Sequence, residues 1–268
     1  IYNYTGACQT NPDLQVDTYV VDTGIDIDHP QFSGRAHFLA NFADDKKIDC
    51  NNHGTHCAGL IGSDDYGVCK DANLFAVKVL DCQGSGSLSG VIQGIEYVYK
   101  RHLDNTKISD KVVKSIISMS LGGGYSKALN MAVDKCLSSD QNFYIVVAAG
   151  NEDQDCKNAS PASSKNVITV MASDNSDNRA WFSNWGKCAD IYSPGVDILS
   201  TIPNNKLAVY SGTSMATPIV AGVINHYLHT HPYLNNRDMK EFLIKVSNKN
   251  IIIGSKPNTK NNLVYLEH

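Results

Sequence analysis

The sequence predicts an α/β fold: a single three-layer domain with a mostly parallel central sheet and helices on both faces. Two observations carry that prediction. Short, almost wholly apolar and β-branched runs alternate along the chain with longer stretches whose apolar residues recur at helical spacing. The chain also has 268 residues, 42% of them hydrophobic and 19% charged, which suits a large buried core and is too apolar for a disordered chain. Repeats, low-complexity tracts and long polar linkers are absent from the sequence, so residues 1–268 read as one domain. Leu266-Glu267-His268 resembles the start of an expression tag and is set aside.

Residues 18–21, 74–80, 115–118, 144–149 and 167–172 read as strands. Each is nearly continuous in apolar residues, the pattern of a parallel sheet covered on both faces. Residues 54–63, 88–102, 126–138 and 214–229 read as the intervening helices. In the second of these, Val91, Ile95, Val98 and Tyr99 form one stripe. Such alternation places a ligand crevice beyond the carboxyl ends of the strands.

Composition removes several function classes. No apolar run approaches the roughly 18 residues of a membrane-spanning helix. With 23 basic and 27 acidic residues, the net charge is −4 and neither sign forms a long block, which argues against nucleic acid or an anionic membrane as partner. Eight cysteines, at positions 8, 50, 57, 69, 82, 136, 156 and 188, lean towards an oxidising compartment. Their spacings are long, with no CxxC pair, which disfavours a metal cluster. The sequons Asn3-Tyr4-Thr5 and Asn158-Ala159-Ser160 fit a secreted protein. No leader-like segment opens the chain, which is therefore read as processed or trimmed.

Three short segments carry chemistry. Val20-Val21-Asp22-Thr23-Gly24 places an acid at the end of a buried strand. His53-Gly54-Thr55-His56-Cys57-Ala58-Gly59 places a histidine at a helix start, and Gly212-Thr213-Ser214-Met215-Ala216-Thr217-Pro218 a serine at another. A serine hydroxyl is a poor nucleophile until a neutral imidazole takes its proton, and the imidazole needs a carboxylate to fix its tautomer. Asp22, His53 and Ser214 supply those three types. Each segment alone has a plainer reading. Asp-Thr-Gly is a common turn and also occurs in aspartic peptidases, which need two such carboxylates; this chain has one. His53 and His56 could ligate a metal, but HExxH is absent. Gly-Thr-Ser often serves only as a helix cap.

Together, in the order Asp, His, Ser, the segments resemble the subtilisin-like serine peptidases. The proteinase K-like branch is the nearer likeness, through His29-Pro30, Ser120-Leu121-Gly122-Gly123-Gly124, Ala148-Ala149-Gly150-Asn151, Ser160-Pro161-Ala162 and Phe182-Ser183-Asn184. The likeness runs from about Tyr19 to Tyr265. It implies a subtilisin-like fold, with Ser214 as nucleophile, His53 as general base and acid, and Asp22 orienting His53. It also implies an oxyanion hole from the Asn151 amide and the Ser214 N–H. Gly84, Ser85, Gly86 and Leu88 on one side, and Ser120, Leu121 and Gly122 on the other, match segments that pair with an extended peptide, where glycines allow close approach. Ala148, Gly150 and Ala159 match the walls of the primary specificity pocket. With no acid placed there, they suggest room for a large apolar or aromatic P1 side chain, although Glu152 and Asp153 lie close in sequence.

The resemblance also pairs Cys50 with Cys82 and Cys156 with Cys188, each closing about 30 residues for a gain of roughly 3–4 kcal/mol. It makes Cys57 a buried free thiol beside His53. Cys8, Cys69 and Cys136 stay unassigned, Cys136 falling on an apolar helix face. Asp190 matches a structural calcium ligand whose other ligands are the carbonyls of Lys165 and Val167; a solvated or salt-bridged aspartate is the rival reading of that residue. No cofactor is implied for catalysis. Departures exist: Asn52 stands where glycine is common, Ile219 where histidine usually follows Thr-Pro, and a Trp-Gly-Leu stretch typical of mature relatives is missing. The resulting expectation is a secreted or vacuolar monomeric endopeptidase acting on proteins and peptides, made with an inhibitory propeptide. A silent fold used as a binding module, and an esterase or acyltransferase, are the rival readings.

Overall fold

The computed structural model describes residue 8 and residues 11–267; the Asn3 sequon lies outside them. The strands are β1 (Leu14–Asp22), β2 (Ala36–Asn41), β3 (Asn73–Lys78), β4 (Val112–Met119), β5 (Gly123–Gly124), β6 (Phe143–Ala148), β7 (Ala159–Ser160), β8 (Ile168–Ser173), β9 (Ile191–Pro194), β10 (Ile198–Ile202), β11 (Lys206–Tyr210), β12 (Asn248–Lys249) and β13 (Asn262–Leu263). The α-helices are α1 (His53–Gly62), α2 (Leu88–Ile108), α3 (Lys127–Ser139), α4 (Thr213–Thr230) and α5 (Asn236–Val246). Nine strands form one sheet in the order β12-β13-β9-β8-β6-β4-β1-β3-β2. Its pairings are parallel except at β12–β13.

Strand β1 shows why the fold has three layers. Side chains alternate across a sheet, so Leu14, Val16 and Val20 pack with Ala58 and Ile61 of α1 and Val220 and Ile224 of α4. Tyr19 and Val21 point the other way, into a second core with Val91 and Ile95 of α2 and Val133 of α3. Both faces are apolar because both are covered.

The strand begins at Leu14, four residues earlier than its apolar run suggests. Gln15 and Asp17 interrupt the pattern, yet Asp17 is buried and accepts from Gln15 Nε2 at 3.0 Å and Asn105 Nδ2 at 3.1 Å. Strands β2 and β9, the β10–β11 hairpin and α5 have no counterpart in the sequence reading. Helices α2 and α3 are capped by Ser87 and Ser126, whose hydroxyls accept from Gly90 N and Leu129 N. The elements that matter chemically all end at one edge. Asp22 is the last residue of β1, Ser120 follows β4 directly, and Ala148 closes β6, three strands that are neighbours in the sheet.

Candidate active site

Asp22 is fully buried, and its Oδ1 accepts from the Thr23 N–H and is bonded to His53 Nδ1, both at 2.7 Å. A carboxylate on Nδ1 holds the proton there and leaves Nε2 as the free acceptor. His53 is the first residue of α1, so its position depends on how that helix end is anchored. Asn52 has φ +89° and its side chain makes no capping bond, a left-handed backbone that explains why glycine suits the position. Asp49 and Thr23 take over the cap. Thr55 N and Oγ1 donate to Asp49 Oδ2 at 2.9 and 2.6 Å, Thr23 Oγ1 donates to Asp49 Oδ1 at 2.9 Å, and Gly54 N donates to Thr23 Oγ1 at 2.9 Å. Thr23, the residue after Asp22, thereby ties the end of β1 to the start of α1. Gly54 is required by contact: a Cβ there would lie 2.0 Å from the Gly24 carbonyl oxygen.

Lys78 adds a second brace. It is fully buried, and its ammonium donates to the carbonyls of Thr23 and Leu80, each at 2.9 Å, with Asp44 Oδ2 at 3.5 Å. Sequence reasoning missed both Asp49 and Lys78. The signal for Lys78 was present: a lone charge inside an apolar strand must find partners.

Burial is the strongest single influence on His53 and opposes its protonation, but the adjoining Asp22 carboxylate, with a smaller contribution from Cys57, more than offsets it and holds the imidazole pKa well above 6.5. Cys57 Sγ lies 3.9 Å from His53 Nδ1 and 3.4 Å from the Ser214 carbonyl. Burial pushes this thiol pKa up, so it stays neutral and is a poor nucleophile.

Ser214 is the second residue of α4. Its Oγ donates to the Ser120 carbonyl at 3.1 Å, while its own carbonyl accepts from Ser120 Oγ at 2.8 Å. Asn151 Oδ1 accepts from Thr213 N and Oγ1, both at 2.9 Å. That fixes the amide's flip and leaves its NH2 as the free end.

Two cavities share the wall Ser120-Leu121-Gly122. One, of about 310 Å³, is lined also by Ala148, Gly150, Asn151, Ala159 and Ser214. The other, of about 670 Å³, is lined by His53, Gly84, Ser85, Gly86 and Leu88. Every residue singled out for substrate binding therefore lines one of the two. Gly123 and Ser160, paired antiparallel, line both cavities. The reservation over Glu152 has a structural basis in the smaller one. The cavity contains an acid, Glu152, whose Oε2 accepts from Asn184 Nδ2 at 2.7 Å. The Gly150 turn, at φ +104°, brings it in.

The structure pairs Cys50 with Cys82, Cys156 with Cys188, and also Cys8 with Cys69, a bridge the sequence left open. Cys57 and Cys136 are free and buried. His56 does not join His53: its Nε2 faces the Ile198 and Ala208 carbonyls at 3.1 and 3.0 Å.

The calcium expectation at Asp190, Lys165 and Val167 does not fit. The Lys240 ammonium contacts all three, at 2.8 Å from Asp190 Oδ2, 3.1 Å from the Lys165 carbonyl and 2.7 Å from the Val167 carbonyl. Lys260 Nζ sits 2.6 Å from Asp190 Oδ1. A cation already fills that place.

Residues 19–264 match the Subtilase family, and the chain belongs to it. It is 44% identical over 263 residues to Subtilisin-like protease 3 of Saccharomyces cerevisiae, covering 93% of this chain and 55% of that protein. It is also 44% identical over 266 residues to Cerevisin of the same organism, covering 93% and 42%. A subtilisin-like serine protease of Rhodotorula mucilaginosa is 50% identical over 226 residues, covering 83% and 65%. The chain thus spans about half the length of the first two curated relatives. A solved cold-adapted subtilisin-like serine proteinase superposes with a TM-score of 0.87 at 38% identity, covering 97% of this chain and 92% of the other.

Proposed function

We propose that this chain is a serine endopeptidase that hydrolyses peptide bonds through an acyl-enzyme on Ser214. The observation that carries the reading is the 2.7 Å bond between Asp22 Oδ1 and His53 Nδ1, with His53 lining one of two cavities that share the wall Ser120-Leu121-Gly122 and Ser214 and Asn151 lining the other. In the first step the Ser214 hydroxyl turns from the Ser120 carbonyl to His53 Nε2, gives up its proton there and attacks the scissile carbonyl. The oxyanion is met by the Asn151 NH2 and the Ser214 N–H, a pair of donors worth several kcal/mol of barrier. The His53 imidazolium then protonates the leaving amine, the C–N bond breaks, and water repeats the sequence to free the acid.

An extended peptide lies between the 84–88 and 120–124 segments and adds a strand to each. The P1 side chain enters the smaller cavity. Its small walls suit a large apolar or aromatic group, and Glu152 extends the preference to lysine and arginine. Leu88, half exposed in the larger cavity, contacts an apolar side chain further along the substrate. Three disulfides fit a secreted or vacuolar compartment. An inhibitory propeptide, a monomeric state and a single catalytic domain complete the reading.

Fluorophosphonate labelling tests it. Wild type should be labelled and Ser214→Ala should not, and a peptide amide should be turned over alongside its matched ester. Folded protein that takes no label would favour the silent binding module, and inertness to the amide would favour an esterase. Because Asp22 raises the His53 pKa, kcat/KM should fall on acidification through a midpoint above 6.5.

A further inference from the structure

The Lys240 side chain contributes more than a surface charge. It stands on α5, which is docked by Met239 in the core and by Asn236 Nδ2, a donor to the carbonyls of Leu137, Asp140 and Phe143 at 2.9, 3.0 and 3.1 Å. That docking points the ammonium at the segment entering β8. An ammonium has three N–H donors and no acceptor. Here three oxygens, Asp190 Oδ2 and the Lys165 and Val167 carbonyls, stand at 2.8, 3.1 and 2.7 Å. Each proton has a partner.

Asp190 needs a cation. It is only 2% exposed, and a buried carboxylate without a partner is costly. Its Oδ2 also accepts from the Thr169 N–H at 3.0 Å, and its Oδ1 from Lys260 Nζ at 2.6 Å. Calcium would need six to eight oxygens at about 2.3–2.6 Å, in the space Lys240 Nζ fills and beside a second ammonium.

We propose that the Lys240 ammonium is the built-in cation of the Asp190 site, held in place of a divalent metal, so that the stability vested there does not respond to calcium withdrawal. The site also supports the groove. Thr169 Oγ1 donates to the Ala162 carbonyl at 2.9 Å, and Ala162 lines the smaller cavity. The inference stands apart from the hydrolytic reading, because it concerns melting and lysine reactivity rather than turnover.

Two measurements test it on the full chain, treated with a sulfonyl fluoride so that any self-digestion is stopped. The first is thermal unfolding in EDTA and in millimolar calcium of wild type, Lys240→Ala and the double variant Lys240→Ala/Lys260→Ala. In EDTA, Lys240→Ala should melt about 5 °C or more below wild type. The double variant, with Asp190 and two carbonyls bared, should gain more from calcium than wild type does; any other calcium site adds equally to both. Lys240→Ala melting with wild type in EDTA, or wild type gaining as much from calcium as the double variant, overturns the proposal.

The second measurement needs no variant to fold. In wild type, acetic anhydride should modify Lys240 far more slowly than Lys107, whose side chain is 72% exposed, with the same protection in EDTA and in calcium, as read by peptide mass spectrometry. Calcium-induced acetylation of Lys240 at the Lys107 rate would mean that the metal displaces the lysine, and the proposal fails.

Discussion

His56 should make this fold lose stability between neutral and mildly acid pH, by an amount the structure sets. The ring is fully buried and stacks on Tyr210 with centroids 4.5 Å apart. Nε2–H donates to the Ile198 and Ala208 carbonyls at 3.1 and 3.0 Å, while Nδ1 is buried without a partner. A second proton would have to sit on Nδ1, out of water and with nothing to accept it. Burial therefore pulls the pKa from 6.5 down to about 4. Below pH 6.5 the unfolded chain takes up a proton that the native state refuses, so stability rises with pH across this window. The contribution is complete above pH 6.5 and is lost as the pH falls towards 4. A shift of about 2.5 units at 1.36 kcal/mol each is about 3 kcal/mol, of which about 2.5 kcal/mol is lost by pH 4.5.

The perturbation is His56→Gln, which keeps an N–H donor for the hairpin carbonyls and removes the titration. Urea unfolding of sulfonyl-fluoride-treated protein at pH 7.5 and 4.5 is the assay. The wild-type loss across that interval should exceed the variant's by about 2.5 kcal/mol. Burial also lowers the His102 and His229 pKa values. Both residues remain in both proteins, so their contributions cancel in the difference. Equal losses in the two proteins would refute the claim that the native state excludes a proton from His56.

Three further outcomes follow from the site. On the proposed mechanism, in which its amide meets charge present only in the transition state, Asn151→Ala should lower kcat about 10²- to 10³-fold with little change in KM; an equal rise in KM would place Asn151 in ground-state binding instead. Glu152→Gln should cut cleavage after lysine about tenfold relative to cleavage after phenylalanine on matched peptides, and an unchanged ratio would remove Glu152 from the specificity argument. Gly54→Ala should lose on the order of 3 kcal/mol in urea unfolding, since its Cβ meets backbone at 2.0 Å; stability and kcat equal to wild type would show that α1 shifts without cost.

Much of the sheet was legible because burial on both faces leaves a largely apolar run within each of β1, β4, β6 and β8. The residues that meet at its carboxyl edge were legible as residue types, since Asp22, His53 and Ser214 each stand at a strand end or helix start. The supporting polar groups were not. Asp49 and Lys78 act through backbone atoms brought close by tertiary packing, and sequence spacing does not encode such distances. Helix α5 did leave a signal, with Asn235 as a cap that accepts from Arg237 N and Asp238 N, followed by Met239 and Leu243 one turn apart. Missing α5 meant missing Lys240, because a lysine between apolar helix positions ordinarily reads as solvated.

At Asp190 too, the deciding contact is a tertiary one. A carboxylate matched to a metal position fixes the need for positive charge but leaves open which cation meets it. That choice was made by an element some 50 residues further along the chain, in a helix whose docking depends on Asn236 and Met239. The Asp190 carboxylate and the two carbonyls accept an ammonium as readily as a metal ion, since both satisfy buried oxygens with positive charge. What separates the two is the number and reach of the donors, three N–H groups at hydrogen-bond distance against six or more shorter contacts. On that count the site as built fits lysine.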